Sequence, residues 1–192
     1  MTMKDWQSEL ESLSAVEAAR RLLGCELERE LDGHKVRVRI VETEAYDQTD
    51  AASHSFNGQT PRTDVMFGHA GHLYVYFTYG MHYCCNVVVG EPGYGAAALL
   101  RAVEPIENEA IMQRRRQKSG TELSNGPAKL CQALDIDKRM NGHDLSQSPL
   151  QLIMRPTLAQ ADIVVTQRIG ISREKERLWR FYIRGNSYVS KK

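Results

Sequence analysis

The sequence predicts an α+β fold: one domain over residues 1–192, with a mostly antiparallel curved sheet surrounded by helices and a protruding β-hairpin. Three observations carry this. Apolar residues alternate in short, strand-length runs. Two of those runs are joined by a four-residue reversal, which only antiparallel strands accommodate. Capped helical segments stand apart from the strands, with no internal repeat, low-complexity tract or linker. A chain of 192 residues is long enough for one domain with a proper core.

Taken in order, Ser14-Ala15-Val16-Glu17 is a capping box, in which Ser14 accepts from the Glu17 amide and Glu17 reaches back. It opens a helix expected to run through Leu23 and stop at Gly24. Val36, Val38 and Ile40 alternate with Arg37 and Arg39, the pattern of a half-buried strand, and lead into Glu42-Thr43-Glu44. From Asp47 to Gly71 the pattern breaks. Asn57-Gly58, Pro61, Gly68 and Gly71 mark a long irregular loop, of the kind that usually carries function. Strands resume at His72–Thr78, Tyr83–Val89 and Ala96–Ala102, the first two joined by a tight reversal at Tyr79-Gly80-Met81-His82. Glu107–Lys118 reads as a helix. Pro127 suits the first position of another, running to Leu134. Gln151–Met154, Ile163–Gln167 and Arg180–Arg184 complete the strands.

Hydrophobic residues make up 42% and charged residues 26%, ordinary for a soluble globular protein. No apolar run approaches the roughly 18–20 residues that span a bilayer, so no membrane association is expected. The polar, acidic Met1–Glu11 is not read as a secretory signal. Cys25, Cys84, Cys85 and Cys131 include a vicinal pair and no CxxC, and are expected to be reduced, semi-buried thiols of a cytoplasmic protein. The net charge of +1 argues against a uniformly basic surface. Its distribution is uneven: residues 1–35 and 36–100 are each net −3, while residues 101–192 hold seventeen Lys+Arg against ten Asp+Glu. That excess fits either an electrostatic footprint on one face or a solvated charged surface.

The stretch from Ile40 to Asn86 concentrates the residues that carry chemistry. Glu42 and Glu44 end a strand and share a face if the strand persists. Periodicity does not choose between them, and two surface acids pairing with Arg37 or Arg39 is the plain alternative. His54 sits in the irregular loop, where a structural role competes with a functional one. His69-x-x-His72, with His82 and Cys84-Cys85, lacks a standard zinc spacing, so no metal site and no cofactor is expected. Tyr74 and Tyr76 share a strand face, and their rings can stack on a base. For Tyr74, ordinary packing is the better reading. Tyr79 precedes Gly80 at a hairpin tip, where a large ring gains nothing from packing. With Met81 it suits a wedge into a base stack. No lysine lies between Lys35 and Lys118, so the segment offers no amine for a Schiff base. If it breaks an N-glycosidic bond, the attacker is water activated by a carboxylate. Lys129, elsewhere in the chain, weakens that inference.

These residues resemble a known family. Glu42-Thr43-Glu44-Ala45-Tyr46, Ala52-Ser53-His54-Ser55, Thr60-Pro61-Arg62, Met66-Phe67, Leu73-Tyr74-Val75-Tyr76, Tyr79-Gly80-Met81, Asn86 and Leu99-Leu100-Arg101-Ala102 are similar to the alkyladenine (3-methyladenine) DNA glycosylases of the mammalian type. The run from Asn125 to Leu134 and Phe181–Gly185 extend the match, which covers the chain from about Ser14 to Ser190 in order. The resemblance implies a monofunctional glycosylase that flips and hydrolytically excises alkylated or deaminated purines from double-stranded DNA: 3-methyladenine, 7-methylguanine, hypoxanthine and ethenoadenine.

By that resemblance Glu44 is the general base, with Arg101 near the catalytic water. Tyr46, His54 and Tyr76 wall the base pocket, Asn86 discriminates against the exocyclic amine of guanine, and Tyr79, flanked by Met81, fills the gap in the duplex. His82 and Thr78 depart from the Tyr and aliphatic residue of the mammalian members. The loop between Tyr46 and His54 is one residue shorter, and no counterpart of the long N-terminal extension of those members is expected. A cytoplasmic, nucleoid-associated monomer is expected. The rivals are a glycoside or nucleoside hydrolase using Glu42 and Glu44 as its acid pair, and a non-catalytic binder of damaged DNA.

Overall fold

A computed structural model describes residues 3–78 and 80–190. Among them, helices α1 (Met3–Ser12), α2 (Ala15–Arg21), α3 (Glu109–Arg116) and α4 (Pro127–Ala133) surround strands β1 (Glu26–Leu31), β2 (His34–Asp47), β3 (Leu73–Thr78), β4 (His82–Val88), β5 (Ala96–Glu107), β6 (Leu150–Ile153), β7 (Ile163–Thr166) and β8 (Arg180–Ile183). The strands form one curled antiparallel sheet in the order β3-β4-β5-β2-β1-β6, from which β8 branches off β2 and carries β7. The α+β expectation holds. The hairpin of β3 and β4 pairs Leu73 with Val87 through Thr78 with His82. Tyr79, at its tip, lies outside the described residues.

Local chemistry accounts for most boundaries. The capping box at Ser14 and Glu17 is formed in both directions. Helix α2 ends one turn before Gly24, whose φ of +82° allows the chain to reverse into β1. Its small residues Ala15, Ala18 and Ala19 are buried against the sheet, and the Thr43 hydroxyl donates to the Ala19 carbonyl at 2.7 Å. Helix α1 had no signal beyond polarity. Trp6 and Leu10, one turn apart, anchor it in the core. At Gly71 (φ +82°) a Cβ would come within 2.7 Å of the Trp6 ring, so glycine there permits close approach.

Strand β5 runs to Glu107, five residues past its expected end. The first half of β2 supplies the partner, pairing Ile40 with Val103 and Arg37 with Glu107. Pro105 is tolerated because the register shifts beside it, between Arg37 and Val38. The long loop from Asp47 to Gly71 is irregular as expected, apart from a 3-10 turn at Asp64–Phe67.

A bulge decides where the site lies. Ile40 pairs with Val103, whereas Glu42 pairs with Ala102, so Val41 is an extra residue in β2. Arg101 is a matching extra residue in β5, since Glu42 and Thr43 pair with Ala102 and Leu100. Before the bulge, Val36, Val38 and Ile40 face the main core; after it, Ala45 does, with Thr43 turned to α2. Even-numbered side chains therefore change face at Val41. Glu42, Glu44 and Tyr46 emerge opposite the helices.

Candidate active site

Strands β2, β3, β4 and β5 present one face to a cavity of about 470 Å³, within the range of small-molecule sites. Tyr46 comes from β2, Tyr74, Tyr76 and Thr78 from β3, Cys84 and Asn86 from β4, and Leu99 and Arg101 from β5. The loop after β2 adds His54, and the connection after β7 closes the far side with residues 169–173.

Both glutamates are completely buried, so the reading of two surface acids fails. Arg37 and Arg39 pair instead with Glu107 and Glu104. The environments of the two acids differ. Glu42 accepts from Arg101 Nε (3.2 Å), Arg180 Nε (2.6 Å), Ser190 Oγ (2.9 Å) and the Ser190 amide (2.7 Å). It anchors two arginines and Ser190. Glu44 lies directly behind the cavity wall. One oxygen accepts from the Ile169 amide at 2.8 Å and faces Arg101 Nη1 at 3.3 Å; the other accepts from the Tyr46 hydroxyl at 2.8 Å. Burial pushes its pKa above the ordinary glutamate value, and Arg101, the Ile169 amide and Tyr46 pull only part of the way back. A carboxylate oxygen has two acceptor directions, so the oxygen bonded to Tyr46 keeps one acceptor direction beyond that bond.

The aromatic walls are built from mutual contacts. Tyr74 and Tyr76 stack with centroids 5.7 Å apart, and His54 meets Tyr76 edge-on at 4.6 Å. Tyr74 is buried, as its packing reading required, yet its hydroxyl lies 2.9 Å from His54 Nδ1. Burial, with the Arg62 cation nearby, lowers the His54 pKa to about 4, so the ring is neutral at pH 7. Burial keeps the Tyr46 and Tyr76 phenols protonated. Asn86 donates from Nδ2 to the Tyr74 carbonyl at 3.2 Å, which fixes its amide at the cavity floor. Cys84 beside it has its thiol pKa raised by burial to about 11, so it is an inert wall.

The structure thus brings Glu44, Arg101, Tyr46, His54, Tyr76 and Asn86 into one site. Met81 lies apart. It is exposed at the hairpin tip and borders a second depression with His82, Tyr83 and Arg115. Lys129 is held by Glu122 and Asn125, both at 2.7 Å, and does not line the cavity. His69 faces Glu11 while His72 contacts the His69 carbonyl, and no three His, Cys, Asp or Glu side chains converge on a metal geometry among the described residues. The four cysteines are free and buried.

Sequence reasoning missed Arg168, Asp50, Ile169, Arg180 and Ser190. Arg168 is buried, ion-paired to Asp50, and stacked on the Tyr46 and Trp179 rings at 4.6 and 5.2 Å. No periodicity points to these residues: most act from irregular segments, and Arg180, at the start of β8, reaches Glu42 through the pairing of β8 with β2. Gly170, with φ +79°, is the one local sign of a shaped loop there.

The family model described as "Methylpurine-DNA glycosylase (MPG)" matches residues 9–187. A Carboxydothermus hydrogenoformans protein named "Putative 3-methyladenine DNA glycosylase" is 52% identical over 176 residues, 91% of this chain and 92% of its own length. Proteins of the same name are 46% identical in Francisella tularensis subsp. tularensis (94% and 95% covered) and 43% identical in Desulfitobacterium hafniense (99% and 100% covered).

Proposed function

The chain belongs to the methylpurine-DNA glycosylase family, and from that premise we propose that it hydrolyses the N-glycosidic bond of damaged purines in double-stranded DNA, as a monofunctional enzyme of base excision repair. The observation that carries the reading is the buried Glu44 carboxylate, held by the Ile169 amide, Tyr46 and Arg101 at the back of an aromatic cavity.

The damaged nucleotide leaves the stack, at a cost of a few kcal/mol that is lower for damaged or mispaired bases. Tyr79 fills the gap, with Met81 beside it at the hairpin tip. The base enters between Tyr46, His54 and Tyr76. A cationic alkylpurine gains cation–π attraction there, up to ~2 kcal/mol when desolvated. Asn86 meets the base edge and disfavours the amine of guanine. Glu44 takes a proton from water on the far side of the sugar, and Arg101 balances the carboxylate and faces that water. The water oxygen bonds to the anomeric carbon as the purine departs with the bonding pair. Among the described residues no lysine lines the cavity, which supports water rather than an amine as nucleophile. The reaction requires no cofactor.

We assign 3-methyladenine and 7-methylguanine as substrates, with hypoxanthine and ethenoadenine as neutral ones that need protonation to leave. The protein is proposed to act as a monomer on DNA of the cytoplasmic nucleoid; no helix among the described residues is long and apolar enough to cross a membrane.

The test is base release from duplexes carrying each of the four lesions. Free base and an abasic strand are expected. Binding without release would make the protein a non-catalytic binder of damage. Activity on free nucleosides but not on DNA would make it a nucleoside hydrolase.

A further inference from the structure

We infer that the buried Arg168–Asp50 pair is a positioning device for Glu44, holding both of the groups that hydrogen-bond to that carboxylate. The inference rests on the role proposed for Glu44 above.

Arg168 lies in none of the strands, yet it ties three segments to one another. Its guanidinium pairs with Asp50, with Nη2 to Oδ1 at 3.0 Å, and both side chains are fully buried. Asp50 Oδ1 also accepts from the Ala52 amide at 3.0 Å, at the start of the turn that carries His54. Arg168 Nη1 donates to the Ala45 carbonyl at 2.9 Å, and the Ala45 amide donates to the Trp179 carbonyl at 2.8 Å. Ala45 separates Glu44 from Tyr46, so the backbone between them is clamped from both sides.

The guanidinium face then packs on the Tyr46 ring at 4.6 Å, with Trp179 also within cation–π range at 5.2 Å. Tyr46 donates to one Glu44 oxygen, and the amide of the next residue, Ile169, donates to the other. One arginine therefore sets the ring behind one hydrogen bond and the chain position behind the second.

A purely structural role is a poor fit. Burying an ion pair costs desolvation that its Coulomb attraction often fails to exceed, and apolar replacements are frequently neutral or better. Here Arg168 Nε is buried and has no hydrogen-bond partner among the described residues, so the pair is not even fully satisfied. What it secures is orientation. A planar guanidinium stacks and forks at once, which a lysine ammonium does not.

The experiment measures single-turnover excision and affinity on a methylated duplex for the wild type, R168K, D50N, Y46F and the double variant R168K/Y46F, with melting curves for each. R168K and D50N are expected to bind damaged duplex within about threefold of wild type. Their excision should be roughly 10–100-fold slower, the loss associated with about 1 Å of misplacement. The double variant should lose clearly less than the product of the two single losses, because part of the Arg168 effect runs through Tyr46 and part through Ile169. Wild-type rates in both R168K and D50N would overturn the inference. So would losses that multiply in the double variant, or losses that track binding or folded fraction, which leave only a structural ion pair; failure of both variants to fold counts as that last case. A wild type that releases no base would overturn the Glu44 reading itself, and is seen separately.

Discussion

At the scale of residues, the two glutamates show how environment divides one chemistry into two jobs. Glu42 meets two guanidinium groups and both donors of Ser190. Removing it leaves Arg101 and Arg180 buried without that partner, so Glu42→Ala is expected to cost about 3–5 kcal/mol of stability, read by denaturant unfolding. Glu44 meets one arginine, one amide and one phenol beside the cavity. Glu44→Gln is expected to abolish excision while keeping affinity for damaged duplex; residual excision near the wild-type rate would remove Glu44 as the base. The sign of the pH effect follows from burial. A general base works ionised, and the Glu44 pKa lies above its ordinary 4.5. Excision of a cationic lesion should therefore fall as pH drops through a midpoint higher than that of an exposed glutamate, measured as single-turnover rate against pH. A midpoint at or below 4.5 would contradict this. Residue identity was legible in the Glu-Thr-Glu-Ala-Tyr motif; the division of labour was not, because it depends on donors up to 148 positions away in the chain.

At the scale of elements, the β2 bulge at Val41 and its counterpart at Arg101 do the placing. An unbroken strand would carry Val36, Val38, Ile40, Glu42 and Glu44 on one face, burying both acids against apolar side chains. Alternation read from the sequence carried the strand correctly to Ile40 and put the two acids on one face, but it contained no sign of the reversal. The hairpin is the second such element. Its strands pair without interruption from Leu73 to Val87, and its tip carries exposed Phe77 and Met81. Tyr79→Ala is expected to weaken flipping more than chemistry, seen as a reduced 2-aminopurine fluorescence rise on binding. An unchanged rise would count against the wedge. His82 pairs with Thr78 at the base of that tip, so the two side-chain departures from the mammalian pattern fall on one rung of the hairpin.

At the scale of the whole molecule, charge is less lopsided than its distribution along the chain. Much of the basic excess after residue 100 is taken up by acids: Arg155 pairs with Glu26, Arg115 with Asp32 and Asp135, and Arg168 with Asp50. Exposed Arg114, Lys118, Lys138, Arg173 and Lys175 form no ion pair among the described residues. With about four of these five cations on backbone phosphates, the log–log salt slope would be about −3.6. Affinity for damaged duplex should then fall about 100-fold between roughly 50 and 200 mM salt, measured by anisotropy. A flat profile would exclude phosphate contact as the main source of affinity.

By itself the sequence determined the α+β class, the capping box at Ser14, the hairpin strands and the family, and it singled out Tyr46, His54, Tyr76 and Asn86, which line one cavity. Each of these is written in neighbouring positions or in a local motif. Only the tertiary structure decided that Glu42 is an anchor, that Arg168 and Asp50 stand behind Tyr46, and that Ile169 donates to Glu44. Those facts depend on contacts between segments more than a hundred residues apart and on a one-residue register shift. Neither leaves a periodic trace, because a buried charge takes its meaning from whatever the fold brings against it.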